Sequence, residues 1–412
     1  DQIGSYTGAQ SGPAVFLGDD FTGASDSMAT YARGGWRSRL MLRPKAERIS
    51  GLEVLGIPTE LRAQTPGGAR ATVNRLWPAI AAQSPSVLHL KVCSTFDSAP
   101  HVGSIGAVVQ ALSARFEPDV VAVIGGQPSL GRYCIFGTLF ARGPDGQVHR
   151  IDRHPVMARH PVTPMAEADL LRHLGAQGLG LRLVSQPMLG DAGAVAAELS
   201  AGPVLFDVLG DRDLDQIAAH LATKGGRQLL IGASSVAQIL TRGRAASAET
   251  GTSREKTAEP TQRAPGSSAV LAIAGSRSSV TAAQVAAARG FDRVPLDPEA
   301  LSNGAALREA AALLARGRHV LAHLVPDSDY GCDPDTLNNL LSSFTLALLA
   351  QVPLGYLAIA GGDTSSRLCE DLGFDTLEYH RDMGQGVCIC IGAHGHPLRN
   401  GMRVMLKGGQ MG

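Results

Sequence analysis

Asp19 and Asp20 stand side by side where an apolar run stops: Ala14-Val15-Phe16-Leu17 passes into Gly18-Asp19-Asp20-Phe21-Thr22-Gly23-Ala24-Ser25-Asp26. Adjacent carboxylates repel each other, which costs stability unless a cation, a basic side chain or a substrate hydroxyl offsets it. An Asp ahead of a helix can equally be no more than its N-cap. A helical pattern does follow, from Ser27 through Met28, Tyr31 and Ala32 to a stop at Gly34-Gly35. Strand, acidic turn and helix is the arrangement by which an open α/β sheet presents ligand-binding groups at the carboxyl ends of its strands.

A phosphate needs clustered backbone N–H donors, and glycine lets the backbone approach closely. Two later turns between an apolar run and a helix suit that need: Gly275-Ser276-Arg277-Ser278-Ser279 and Gly361-Gly362-Asp363-Thr364-Ser365-Ser366. The second is also what an ordinary capped turn looks like. Other chemistries find less support. There is no Gly-x-x-x-x-Gly-Lys-Ser/Thr, and no Gly-x-Gly-x-x-Gly follows a strand with an acidic residue downstream, which excludes a P-loop protein and disfavours a dehydrogenase. His380-Arg381-Asp382 is superficially like a protein-kinase catalytic loop, but Val387 stands where that loop needs Asn. His394-Gly395-His396 has no third ligand beside it and reads as a loop feature. Cys93, Cys134, Cys332, Cys369, Cys388 and Cys390 form no Cys-x-x-Cys and read as reduced thiols of a cytoplasmic protein. No metal ligand can be assigned.

Gly18-Asp19-Asp20-Phe21-Thr22-Gly23-Ala24 resembles the opening signature of the four-carbon acid sugar kinases, whose members usually read Asp-Asp-Leu-Thr-Gly-Ala at this point. The resemblance recurs in the family's order. Arg132 lies in Gly131-Arg132-Tyr133, against a Gly-Arg-Thr-like element, and His160-Pro161-Val162-Thr163-Pro164-Met165 matches His-Pro-Leu-Thr-Pro-Met. Gly361-Gly362-Asp363-Thr364 matches Gly-Gly-Glu/Asp-Thr, and Lys407-Gly408-Gly409-Gln410-Met411-Gly412 matches a terminal Lys-Ser-Gly-Asn-Phe-Gly. It covers almost the whole chain and implies an ATP-dependent kinase for a small sugar acid. Mg²⁺ would then come with the phosphates of ATP, without a dedicated metal cage. Carried over position by position, the resemblance implies Ser276, Gly361, Gly362, Asp363, Thr364 and Gly409 as nucleotide contacts.

The substrate side falls in the first half of the chain. Asp19 and Asp20 would hold sugar hydroxyls, and one of them would accept the proton of the attacking hydroxyl. Asp20 is favoured as that base, though the sequence does not separate it from Asp19. Lys91 and Arg132 are candidates for the substrate carboxylate, Arg132 from a Gly-flanked loop, with Ser94, Thr95 and Gln127 supplying neutral hydrogen bonds. Ser234 and Ser235, at a helix start, read as caps before anion ligands. A second reading stays open, a sugar-acid or nucleotide sensor that kept the fold without turnover; ADP release dependent on a sugar acid separates the two.

These groups need a scaffold, and the chain's patterning describes one. Apolar β-like runs alternate with helical ones up to about residue 240, as in Val120–Ile124, Val204–Val208 and Leu229–Gly232. The expectation is an α/β fold of two domains, each a mainly parallel sheet flanked by helices, joined by a polar linker. Residues 1–12 read as a mobile tail, starting at Asp1 with no initiator Met, which implies trimming. Residues 13–241 read as the substrate-binding domain. The stretch 242–267, almost without large apolar residues, reads as a linker, because it cannot bury enough surface to offset its ordering entropy. Residues 268–412 read as the nucleotide-binding domain, and closure of one domain on the other would keep phosphoryl transfer away from water. With 412 residues and 37 basic against 37 acidic side chains, the chain has no net field to draw nucleic acid or an anionic membrane. At 4% aromatics it also lacks rings to stack on bases, and no apolar stretch is long enough to span a bilayer. The expected partner is a small sugar acid, with homo-oligomerisation left open.

One segment departs from the family. Many relatives carry Lys-x-Asp-Ser-Thr-Leu-Arg-Gly, where this chain reads Lys91-Val92-Cys93-Ser94-Thr95-Phe96-Asp97-Ser98. An arginine has become Asp97. If that arginine helps hold a substrate carboxylate, the change removes an attraction and adds a repulsion, each about 1–3 kcal/mol for a desolvated charged hydrogen bond. Plain threonate or erythronate should then bind poorly unless Lys91 and Arg132 take over. The expectation is a modified acid with an oxo group or a branch, such as 3-oxo-isoapionate or 3-oxo-tetronate, which some relatives phosphorylate.

Overall fold

A computed structural model describes residues 12–248, 266–384 and 387–407. All of the proposed tail but Gly12, most of the linker stretch and Gly409 lie outside them. The described residues fall into two compact units. The first runs through Ser38 and resumes at Pro44; the second comprises Arg39–Arg43 and the chain from Gly266 onward.

Seven parallel strands form the sheet of the first unit: β1 (Ala14–Gly18), β2 (Val54–Pro58), β3 (Val87–Lys91), β4 (Val120–Ile124), β5 (Arg182–Val184), β6 (Val204–Phe206) and β7 (Gln228–Gly232). Their spatial order is β2-β1-β3-β7-β4-β6-β5. A parallel sheet covered by helices is buried on both faces, so its strands read as continuous apolar runs; β1, β3 and β7 are buried at every position. Helix α1 (Phe21–Arg33) leaves β1 and turns Met28 and Tyr31 into the core. There Tyr31 stacks between Phe16 and Trp36, ring centroids 5.6 and 5.5 Å away. Helix α2 (Ser235–Ala248) follows β7 and continues past the boundary read at residue 241. Arg132 is not in a loop: it opens the first strand of a small antiparallel sheet, Arg132–Ile135, Thr138–Arg142 and Val148–Arg150.

The second unit carries β8 (Ser267–Ala274), β9 (Asp292–Leu296), β10 (Val320–Leu324), β11 (Leu354–Ala360), β12 (Thr376–Gly384), β13 (Val387–Ala393) and β14 (Arg403–Lys407). Their order is β9-β10-β8-β11-β14-β13-β12, parallel from β9 to β14 and antiparallel beyond. The strand Ser38–Met41 pairs antiparallel with β12, Met41 opposite Thr376 and Arg39 opposite Glu378. An Arg39–Glu378 ion pair at 2.5 Å fixes that register. The helices used below are α3 (Ser279–Ala287), α4 (Pro334–Gln351) and α5 (Gly362–Leu372). Each unit is thus a mainly parallel sheet with helices.

Candidate active site

Asp19 follows the last residue of β1, and its N–H donates to the Lys91 carbonyl at 3.0 Å, which locks the ends of β1 and β3 together. Asp20 is the N-cap of α1: its Oδ1 accepts from the Gly23 N–H at 2.6 Å. A Cβ on Gly23 would lie 2.3 Å from Lys91 Nζ and 2.7 Å from Asp20 Oδ1, so a side chain there would displace the Lys91 amine. The glycine of the acidic turn therefore lets the Lys91 amine sit over the first turn of α1, beside Asp20.

The partner that two adjacent carboxylates require is Arg62, which the sequence reading missed. Its Nε and Nη2 grip Asp19 at 3.2 and 3.0 Å, and its Nη1 reaches Asp20 Oδ2 at 2.9 Å. A fork that uses all three nitrogens on two carboxylates is geometry only arginine offers. Burial pushes the Asp19 carboxyl above its ordinary range, while Arg62 and Lys91 pull it back. Burial pulls Arg62 down, but the charges of Asp19, Asp20 and Asp97 outweigh it and hold the guanidinium protonated. Arg62 lies in no motif. The available signal was its place: Gly18 pairs with Pro58 across β1 and β2, and four residues on, the Arg62 N–H donates to the Asp19 carbonyl at 3.1 Å.

Lys91 is the last residue of β3 and buried; the loop after it packs inward as well. Within that loop Phe96 takes the left-handed backbone conformation, φ 55°, with its ring fully buried, a strained state that persists only where its surroundings enforce it. The Thr95 hydroxyl donates to Asp97 at 2.6 Å, and that of Thr163 donates to the other Asp97 oxygen at 3.4 Å. Asp97 is therefore not the bare repulsive charge expected from the sequence: it is buried, accepts from two hydroxyls and lies within the field of Arg62. Thr95 spends its proton on Asp97, so it can meet a substrate only as an acceptor. The His160–Met165 motif finds its place here too. His160 Nδ1 accepts from the Thr163 N–H at 3.0 Å, which holds Thr163 against Asp97.

Arg132 is half-buried, and its Nε is buried without a hydrogen-bond partner among the described residues. Burial lowers its pKa. Cys93 lies within the fields of Arg62 and Lys91, while burial pushes its thiol up. Ser94 is buried in the same loop. Gln127 pairs with Arg132 through both backbone groups, at 3.0 and 3.1 Å, and its side-chain oxygen accepts from the Ser235 N–H at 3.3 Å. Ser234 is committed elsewhere, donating to Asp26 at 2.5 Å.

In the second unit, β8 and β11 are neighbours, with Ala274 opposite Ala360. The chain leaves β8 toward β10 and β9, while β11 lies on the other side, so the two strands flank a topological switch point. The glycine turns meet there. A Cβ on Gly275 would lie 2.1 Å from Thr364 Oγ1, and Gly361, at φ +128°, lies close to Thr364 and the Ser276 N–H. Gly362 and Asp363 open α5. Thr364 is buried and donates to Asn338 Oδ1 on α4 at 2.9 Å, a partner the sequence reading missed. Lys407 ends β14 beside Ala360, its pKa lowered by burial. Among the described residues no three His, Cys, Asp or Glu side chains cluster as a metal cage.

Residues 14–240 match the model of a sugar-binding N-terminal domain, and residues 271–412 that of a nucleotide-binding C-terminal domain. The chain is 34% identical to the 3-oxo-isoapionate kinase of Paraburkholderia graminis, over 97% of this chain and 92% of that one. It belongs to the four-carbon acid sugar kinase family. The chain is also 30% identical to the 3-oxo-tetronate kinase of Pseudomonas savastanoi pv. phaseolicola, over 96% and 94% of the two chains, and 26% identical to the D-threonate kinase of Salmonella typhimurium, over 97% and 95%. A crystal structure of the Haemophilus influenzae protein HI1011 shares the fold at a TM-score of 0.76 and 22% identity, covering 97% of each chain. This member of the family is a sugar-acid kinase, the first of the two readings open from the sequence, and its phosphoryl donor is ATP.

Proposed function

We propose that this kinase transfers the terminal phosphoryl group of ATP to a hydroxyl of a small sugar acid bearing an oxo group or a branch, of the 3-oxo-isoapionate or 3-oxo-tetronate type. The observation that carries the reading is the Arg62 fork on the Asp19–Asp20 pair, with the Lys91 amine beside it. Arg132, with its unpartnered Nε, and Lys91 bind the substrate carboxylate. Ser94, Thr95 and Gln127 contact its hydroxyl and oxo groups. Asp20 is the base: its side chain is 35% exposed against 11% for Asp19, so a hydroxyl can reach it. Arg62 balances the charge of the two carboxylates, and Asp19 anchors Arg62.

On the nucleotide side, Ser276, Gly361, Gly362, Asp363 and Thr364, with Gly409, take the phosphates, whose oxygens meet the N–H groups at the start of α5. Mg²⁺ fits a site of this kind, where one carboxylate, Asp363, and the phosphates of ATP supply its ligands; bound there it would offset charge on the transferring group. The six free thiols suit a reducing, cytoplasmic setting. A screen of four- and five-carbon sugar acids with ATP and Mg²⁺ tests the substrate class. The expected outcome is a higher kcat/KM for an oxo or branched acid; equal or better turnover of plain threonate or erythronate would sink it.

A further inference from the structure

We propose that the cavity beside Ser276 seats the purine ring of the nucleotide and prefers adenine to guanine. The inference rests on the kinase reading above and adds where the base lies and how it is chosen. The cavity, of about 210 Å³, opens between α3 and the end of β10, with Ala274, Ser276, Ala282, Val285, His323 and Leu324 in its lining. Its walls are mostly apolar and no carboxylate lines it. Such a slot accepts a flat, neutral heteroaromatic ring and offers a sugar acid nothing to bind.

Two further observations point to a ligand there. Helix α3 reads Ser-Val-Thr-Ala-Ala-Gln-Val-Ala-Ala, yet Thr281 is its one buried residue. Ala282 and Val285 are left half-exposed on the cavity, and a bound ring would bury them. Ser276, moreover, belongs both to the lining and to the turn packed against Gly361, so base and phosphates fall on one continuous path. Arg293 lines the cavity without serving as a phosphate clamp, because its guanidinium donates to the carbonyls of Val285, Ala286 and Ala288 at 3.0, 2.9 and 2.9 Å.

His323 supplies the selectivity. The Leu324 carbonyl 3.1 Å from its Nδ1 can only accept, so Nδ1 carries a proton and Nε2 is the nitrogen the ring has left to offer as an acceptor. The exocyclic amino group of adenine donates to such an atom. Guanine has a carbonyl at that position, and two acceptors would face each other with no proton between them.

The test uses the full chain with Ala282→Phe, which fills the slot from the helix surface. Calorimetry compares ATP with inorganic triphosphate, which has no base, and steady-state kinetics gives KM for ATP. The expected result is at least a tenfold loss of ATP affinity, with triphosphate binding, kcat at saturating ATP and KM for the sugar acid each within twofold of wild type. Unchanged ATP affinity, or an equal loss for triphosphate, overturns the assignment while wild-type turnover keeps the kinase reading intact. His323→Leu is the second variant, read as the ratio of kcat/KM for ATP to that for GTP. A fall of at least fivefold is expected, and an unchanged ratio overturns the role given to His323. A wild-type chain that binds ATP in this slot but phosphorylates no sugar acid would sink the kinase reading and leave the base site standing.

Discussion

Asp20 does two jobs that one substitution separates. As N-cap it accepts from the Gly23 N–H, and as a carboxylate it faces Arg62 Nη1. Asparagine caps a helix as well as aspartate does but takes no proton at neutral pH. Asp20→Asn should therefore lower kcat by roughly 10²-fold or more, the scale of a lost general base, with the melting temperature little changed. Near-normal turnover in Asp20→Asn together with a loss in Asp19→Asn would move the role to Asp19. At this scale the sequence was partly legible. Two adjacent carboxylates at a strand end announce that something must neutralise them. The neutralising group was illegible because Arg62 comes from a short turn whose partners are set by strand order, and strand order is not written locally. The same holds for Asp97, whose charge was plain but whose two hydroxyl partners come from Thr95 and from Thr163, 66 residues away.

The elements read more easily than their joins. Runs such as Val120–Ile124 and Leu229–Gly232 were legible because both faces of a parallel strand are buried. His89 shows what such a strand hides. It sits fully buried in β3, its Nε2–H donating to the Gly232 carbonyl at 3.1 Å and its Nδ1 accepting from the Tyr31 hydroxyl at 3.0 Å, so one ring ties β3 to the end of β7 and to α1. Burial lowers its pKa from the ordinary 6.5 to about 3. The unfolded chain therefore binds a proton there before the folded one does. The stability that a neutral His89 contributes is whole above pH 6.5 and declines as pH falls toward 3, by up to about 1.4 kcal/mol per pH unit. Denaturant titrations between pH 4 and 7 should show this slope, and His89→Leu, though less stable overall, should flatten it; an unaltered slope would assign it to other groups. The loop after β3 makes a comparable claim. If Thr163 positions Asp97 and hence the Cys93–Ser98 loop, Thr163→Val should raise KM for the sugar acid several-fold and leave KM for ATP alone, with Thr163→Ser restoring it. A rise in both constants would mean general loosening.

For the molecule as a whole, the units are not two consecutive lengths of chain. The strand Ser38–Met41 completes the edge of the second unit's sheet, and neither its length nor its charged composition marks it as belonging there. A polypeptide of residues 266–412 alone would expose the edge of β12 at Thr376–Glu378, and open strand edges pair with whatever strand is near. It should self-associate in gel filtration, and a peptide spanning residues 36–44 should return it to a monomer; a monomeric, soluble fragment without the peptide would refute this. The same strand also sets a clock. Arg39 and its partner Glu378 are 339 positions apart, and at about 5–20 residues per second of synthesis the earlier waits roughly 17–70 s for the later to be made. Through that interval the first-made half of the enzyme can settle around its own core, but the second cannot close its sheet until β12 has emerged, so the nucleotide-binding half becomes competent after the sugar-binding half and depends longer on protection.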